Sequence, residues 1–158
     1  MIHIKPAIPS DAPAIHYIMI KAFENDKDKA PPSSALKETV ESISSALYEG
    51  ERALIGYIDD QPVGMVRFQI QKTSLYFYRL AVLPEYQGKG FAKALLKTIE
   101  AYAKQNDLSR IFCKVRAAIP KNVSLYRSIG YQIYSENFVQ KPNGVKIKVI
   151  SMTKHLTS

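Results

Sequence analysis

The stretch from Ser74 to Ala103 constrains this 158-residue chain most: SLYFYRLAVLP, then EYQGKGFA, then KALLKTIEAYA. From Leu75 to Leu83 nearly every residue is apolar or aromatic, with no alternation, the pattern of a strand covered on both faces. Pro84 ends that strand. Beyond it Phe91, Leu95, Thr98/Ile99 and Tyr102 recur at helical spacing, while Lys93, Lys97, Glu100 and Lys104 take the opposite face. The stretch therefore predicts a buried strand, a glycine-bearing turn and an amphipathic helix packed on a sheet.

The turn is Gln87-Gly88-Lys89-Gly90-Phe91-Ala92. No Ser, Thr, Asp or Asn stands where a helix usually receives its side-chain cap, so the first backbone N–H groups lack an obvious protein acceptor. A phosphate or pyrophosphate would satisfy them, and the helix dipole adds about 0.3–1 kcal/mol for a negative charge there. Gly88 and Gly90 equally suit a plain strand-to-helix turn with no ligand. Two phosphate carriers are disfavoured. The P-loop pattern is absent, and the dinucleotide fingerprint fails because Lys93 stands where its third glycine belongs, which Asp107 alone does not repair.

Leu80-Ala81-Val82-x-Pro84 followed by Gln87-x-x-Gly90-x-Ala92 resembles the signature of the GNAT family of N-acetyltransferases. Downstream, Asn122-Val123-Ser124-Leu125-Tyr126-Arg127-Ser128-Ile129-Gly130-Tyr131 is similar to a second family segment, and Ile4-Lys5-Pro6-Ala7 with Asp11 resembles the family's start. The resemblance spans essentially the whole chain and implies one N-acetyltransferase domain over residues 1–158. It implies a mixed α/β fold: a mostly antiparallel sheet of six to seven strands flanked by about four helices, with a central splayed parallel pair. It also implies acetyl-CoA as the acyl donor. Gln87, Gly88, Lys89, Gly90, Phe91, Ala92 and Lys93 would hold the pyrophosphate, Leu80, Ala81 and Val82 would pair their main chain with the pantetheine arm, and Asn122 would contact the cofactor. Tyr126 would bind there too, as the general acid that protonates the departing thiolate; on its own pattern it reads as an interfacial aromatic, with Leu125 and Ile129 facing the core.

A formal charge of +8 suits nucleic acid, anionic lipid or a phosphorylated cofactor. Lysine and arginine are spread rather than massed, with no nucleic-acid-binding motif, so neither nucleic acid nor membrane is expected as a partner. One cysteine, Cys113, and three scattered histidines, His3, His16 and His155, offer no metal-ligand spacing, so no metal is expected. No apolar run is long enough to span a membrane and MIHIKPAIPSDAP has no signal-peptide core, which places the expected protein in the cytoplasm. Open sheet edges would allow two chains to pair as a homodimer.

In chain order, Ile2 to Ala7 reads as a first strand, and Ser10 or Asp11 as the cap of a helix bearing Ile15, Ile18, Met19 and Ala22/Phe23. Glu24 to Pro32 reads as a loop, and Ser33 or Ser34 as the start of a helix with Leu36, Val40, Ile43 and Leu47, ending near Gly50. Strands come next at Arg52–Ile58 and Gln61–Gln71, with turns at Asp59-Asp60 and Lys72-Thr73. After the long helix come a strand at Arg110–Arg116, parallel to the central one, a short helix at Pro120–Ser128, and a hairpin of Tyr131–Gln140 and Val145–Met152 around Pro142-Asn143-Gly144.

By resemblance the acceptor is a primary amine attacking the thioester directly. An alkylammonium is neutral on the order of one time in a thousand at pH 7, so a proton acceptor matters. Here the chain departs from its relatives. Lys114 stands where protein N-terminal acetyltransferases have glutamate, an apolar residue near Phe77 where histone acetyltransferases have one, and three extra residues precede Asn122. Glu85, Glu136, Tyr78 and an ordered water remain as proton acceptors. The missing glutamate favours small amines such as polyamines, amino sugars or amino acids over protein amines; an acyl-CoA-sensing module without turnover is the reading from another class.

Overall fold

The computed structural model describes residues 1–24, 34–142 and 144–156. Among the described residues seven strands form one sheet: β1 (His3–Pro6), β2 (Arg52–Ile58), β3 (Gln61–Gln71), β4 (Ser74–Val82), β5 (Arg110–Arg116), β6 (Gln132–Gln140) and β7 (Lys146–His155), in the order β1-β2-β3-β4-β5-β7-β6. Four α-helices of the described residues accompany it: α1 (Ala12–Phe23), α2 (Val40–Tyr48), α3 (Phe91–Gln105) and α4 (Pro120–Ser128). The mixed sheet is the expected one, with β4 and β5 as its parallel pair. Their ladder joins Ser74 to Arg110, Leu75 to Ile111 and Tyr76 to Phe112, although β4 runs on to Val82 and β5 to Arg116.

The chain forms two compact units: Met1–Gln69 with Phe77–Glu100, and Ile70–Tyr76 with Ala101–Ser158. In the first, Ile15, Ile18 and Met19 of α1, Ile43 of α2, Ile55 of β2 and Met65 of β3 form an apolar core with Ala81 and Leu83. In the second, the buried side chains include Ile111, Cys113, Tyr126, Tyr131, Ile150 and Met152.

Local chemistry explains most boundaries. Asp59 and Asp60 both take positive φ, 48° and 67°, the backbone that a two-residue hairpin requires. Lys72 does the same, at 58°, between β3 and β4. At the β6–β7 turn, Lys141 and Val145 are joined by a backbone hydrogen bond of 2.8 Å and Gly144 takes φ 86°; Asn143 lies outside the described residues.

Four expectations are corrected. The second helix starts at Val40, because Thr39 caps it: its hydroxyl accepts from Ser42 N at 3.0 Å and the Ser42 hydroxyl returns the bond to Thr39 N. Ser34–Lys37 is a separate 3₁₀ turn, and Ser33, like most of the expected Glu24–Pro32 loop, lies outside the described residues. Asp11 accepts from Ile8 N at 2.9 Å, so its carboxylate serves the turn ahead of α1 rather than α1 itself. The buried stripe of α3 is Leu95, Leu96, Ile99 and Ala103, with Phe91, Thr98 and Tyr102 half-buried at its flank. Finally, β4 is not uniformly covered. Leu75 and Phe77 are buried between half-buried Ser74, Tyr76 and Tyr78, and Arg79 then breaks the alternation with φ 55°, after which Ala81, Val82 and Leu83 are buried in succession. A left-handed non-glycine residue inside a strand is strained and shifts the facing of the residues beyond it.

Candidate active site

The first unit holds the turn. Leu83 N donates to Val63 O at 2.8 Å, fixing the end of β4 against β3. A 3₁₀ turn, Pro84–Tyr86, leads to Gln87, whose amide reaches back to Val82 O at 2.9 Å. Gln87 therefore braces the turn with its side chain. Gly88 and Gly90 take φ 79° and 83°, and a Cβ on either would meet nothing within 4 Å. Their need for glycine is conformational, and the space beyond both is open. Gly90 stands immediately before α3, with its carbonyl accepting from Ala94 N at 3.1 Å. Lacking a side chain, Gly90 cannot cap the helix, which leaves the first-turn N–H groups without a cap from it and suits a helix start to an anion.

Lys89 and Lys93 are exposed around this turn. Lys89 Nζ lies 5.6 Å from the Tyr86 ring centroid, and the Tyr86 and Phe91 rings sit 6.1 Å apart. Bare backbone, a helix start and flanking ammonium groups fit a phosphorylated cofactor. Leu80 is half-buried and Ala81 and Val82 are buried, so their main chain is what this strand offers a ligand.

The second unit holds Asn122 and Tyr126, both on α4, one helical turn apart. Tyr126 is 5% exposed and is the buried residue of its helix, while Leu125 and Ile129 are half-buried; the expected facing is reversed. The cause is local packing. Tyr126 meets Tyr131 with ring centroids 5.9 Å apart, and Tyr131 N donates to Tyr126 O at 3.0 Å as the chain reverses at Gly130, φ 101°. Burial first, and the nearby Cys113 thiol second, push the Tyr126 phenol well above its ordinary range, so it holds its proton. Burial likewise pushes Cys113 up to about 12.

The first unit also contains a polar cluster that sequence reasoning missed. Arg67 of β3 is 4% exposed and binds two carboxylates: Glu51, through Nε at 2.7 Å and Nη2 at 3.0 Å, and Glu38, through Nη1 at 2.8 Å. Arg79 Nε reaches Glu38 at 2.9 Å. Tyr78 donates its hydroxyl proton to Glu51 and accepts from Gln69 Nε2 at 3.1 Å. Burial opposes the charge on Arg67, yet its bonds to Glu51 and Glu38 outweigh that and hold the guanidinium charged. Burial, then the Glu51 bond and charge, raise the Tyr78 phenol. The sequence signals were Arg67 inside the apolar run Val63–Phe68 and Arg79 inside the apolar run of β4.

The other expected proton acceptors fare differently. Glu85 is exposed in the turn, and Glu136 is exposed on β6, paired with Lys148 at 2.7 Å. Lys114 is exposed on β5. Among the described residues no group of His, Cys, Asp and Glu could hold a metal ion, and no helix is long and apolar enough to cross a membrane.

Comparison with known proteins meets this geometry. The chain is 29% identical over 112 residues to the ribosomal protein bS18-alanine N-acetyltransferase of Haemophilus influenzae, covering 68% of this chain and 76% of that protein. It is 30% identical over 82 residues to mouse N-acetyltransferase 8, covering 52% of this chain and spanning only about a third, 33%, of that protein. In fold it is similar to the PaiA N-acetyltransferase of Thermoplasma acidophilum in complex with coenzyme A, with a TM-score of 0.81 at 15% identity over 99% of each chain. The profile of the acetyltransferase (GNAT) family matches residues 13–131, a span that holds β4, the glycine turn, α3 and Tyr126, and the chain belongs to that family.

Proposed function

We propose that residues 1–158 act as one cytoplasmic N-acetyltransferase domain that moves an acetyl group from acetyl-CoA to a primary amine of a small molecule. The observation that supports this most is the turn before α3, where Gly88 and Gly90 leave bare backbone and open space beside a helix start. Acetyl-CoA supplies the activated acyl group. Gln87 braces the turn, while Gly88, Lys89, Gly90, Phe91, Ala92 and Lys93 hold the pyrophosphate. Leu80, Ala81 and Val82 present main-chain groups to the pantetheine arm, and a strand N–H near Ala81 stabilises the oxyanion, an effect of about 2.7–4 kcal/mol in other acyl transfers. Asn122 contacts the cofactor, and Tyr126, which keeps its proton, protonates the departing thiolate.

Likeness to the bS18-alanine acetyltransferase favours a second reading, a protein N-terminal amine as acceptor. The exposed Lys114 in place of a glutamate weighs against it.

The decisive experiment is calorimetric titration of acetyl-CoA into the wild-type protein and Gly90→Glu. Micromolar binding, about −8 kcal/mol, that disappears in the variant supports the cofactor and its turn together. No binding by the folded wild type overturns the reading.

A further inference from the structure

The Arg67 cluster is more than the core requires. Burying ions is costly, and well-packed apolar side chains would serve stability as well or better. Its hydrogen bonds also have a direction. Gln69, an exposed residue, donates to Tyr78 Oη, and Tyr78 Oη donates inward to Glu51 Oε1, a carboxylate 7% exposed. An outer donor, a hydroxyl and a buried carboxylate in series form a proton path.

Resting on the acetyltransfer reading above, we propose that Tyr78 takes the proton of the acceptor ammonium while passing its own to Glu51. Tyr78 is the catalytic group, Glu51 the proton sink behind it, and Arg67 the positioning residue that holds Glu51 in line. The Gln69 amide marks where the ammonium donates. An ammonium displaces it because a charge-assisted hydrogen bond is stronger than one from a neutral amide on an exposed side chain. Tyr78 also lies on β4 together with Leu80, Ala81 and Val82, with the strained Arg79 between them. One strand thus supplies both the proton acceptor and the main chain proposed to flank the thioester.

The step balances. An N–H bond of the ammonium breaks and its proton reaches Tyr78 Oη as the Tyr78 proton moves to Glu51 Oε1. The nitrogen keeps the electron pair and forms the C–N bond; the C–S pair leaves on sulfur, which takes the Tyr126 proton. The second nitrogen proton restores Tyr126, and the Glu51 proton returns through Tyr78 to solvent.

The charged groups facing Tyr78 are Glu51, ahead of β2, and Arg67 of β3, whose guanidinium carbon is 5.5 Å from the ring centroid. Arg79 and Glu38 lie behind them, and His16 of α1 bonds the Glu38 carbonyl at 3.2 Å. Glu51→Gln would strand Arg67, so Tyr78→Phe, which removes only a hydroxyl, is the test. Thiol release from acetyl-CoA is followed between pH 6 and 10 with a panel of primary amines that includes spermidine. We expect Tyr78→Phe to lower kcat/KM by about 100-fold at pH 7, with the loss shrinking toward pH 10 as the amine sheds its own proton. Acetyl-CoA affinity by calorimetry should not change, and the melting temperature should fall only modestly, because Glu51 loses one donor but keeps Arg67. An equal loss at every pH, or none, overturns this inference and leaves the acetyltransfer reading intact. A wild type that releases no thiol with any amine overturns both.

Discussion

The two compact units bury ionisable side chains by opposite means. In the first, Arg67 is held charged by its bonds to Glu51 and Glu38, and Arg79 binds Glu38 as well. In the second, Cys113 and Tyr126 are buried as neutral acids, and loss of a proton is what burial forbids. The difference teaches what each site tolerates. A paired cluster fails when one partner is removed; a neutral pair fails when the solvent becomes alkaline.

The largest effect should come from Arg67→Ala, which leaves the buried Glu51 without its cation and Glu38 with Arg79 alone. A loss of about 3–5 kcal/mol in urea denaturation is expected; a loss below about 1 kcal/mol would mean that the cluster behaves as an exposed one.

Alkaline pH should act next, through the second unit. The thiol of Cys113 has an ordinary value of 9.0 and is held at about 12 in the fold. Above about pH 9 the unfolded chain therefore loses that proton first and binds fewer protons than the native one, so stability falls as pH rises. Denaturation measured from pH 7 to 11 should show this decline, flattened in Cys113→Ala. An unchanged slope in the variant would assign the decline elsewhere, to the raised phenols of Tyr57, Tyr78 and Tyr126.

The smallest effect on stability is expected for Tyr126→Phe, within about 1 kcal/mol, because the ring keeps its place against Tyr131. Thiol release should nevertheless fall while acetyl-CoA affinity holds. Unchanged turnover would remove Tyr126 from the reaction.

The features legible in the sequence were local. The bounds Arg52–Ile58, Gln61–Gln71 and Arg110–Arg116 come from runs closed by turn residues, and the Gly88–Gly90 turn comes from two glycines ahead of an amphipathic pattern. The cluster could not be read that way. Its bonds join residues 9 to 41 positions apart, and only the folded sheet brings them together. Arg67 and Arg79 inside apolar runs were the visible hint, since a charge in a strand interior needs a partner. Tyr126 was found by family likeness, but its facing was misread. A nine-residue helix has too few turns for periodicity to separate Leu125 and Ile129 from their neighbour.

Lys154, near the end of β7, donates from Nζ to the Ile129 carbonyl at 2.8 Å, where α4 gives way to Gly130. A strand held between β5 and β6 thereby also clamps the helix bearing Tyr126. Protein engineering inherits this clamp: trimming the chain back past Lys154 would release the helix end.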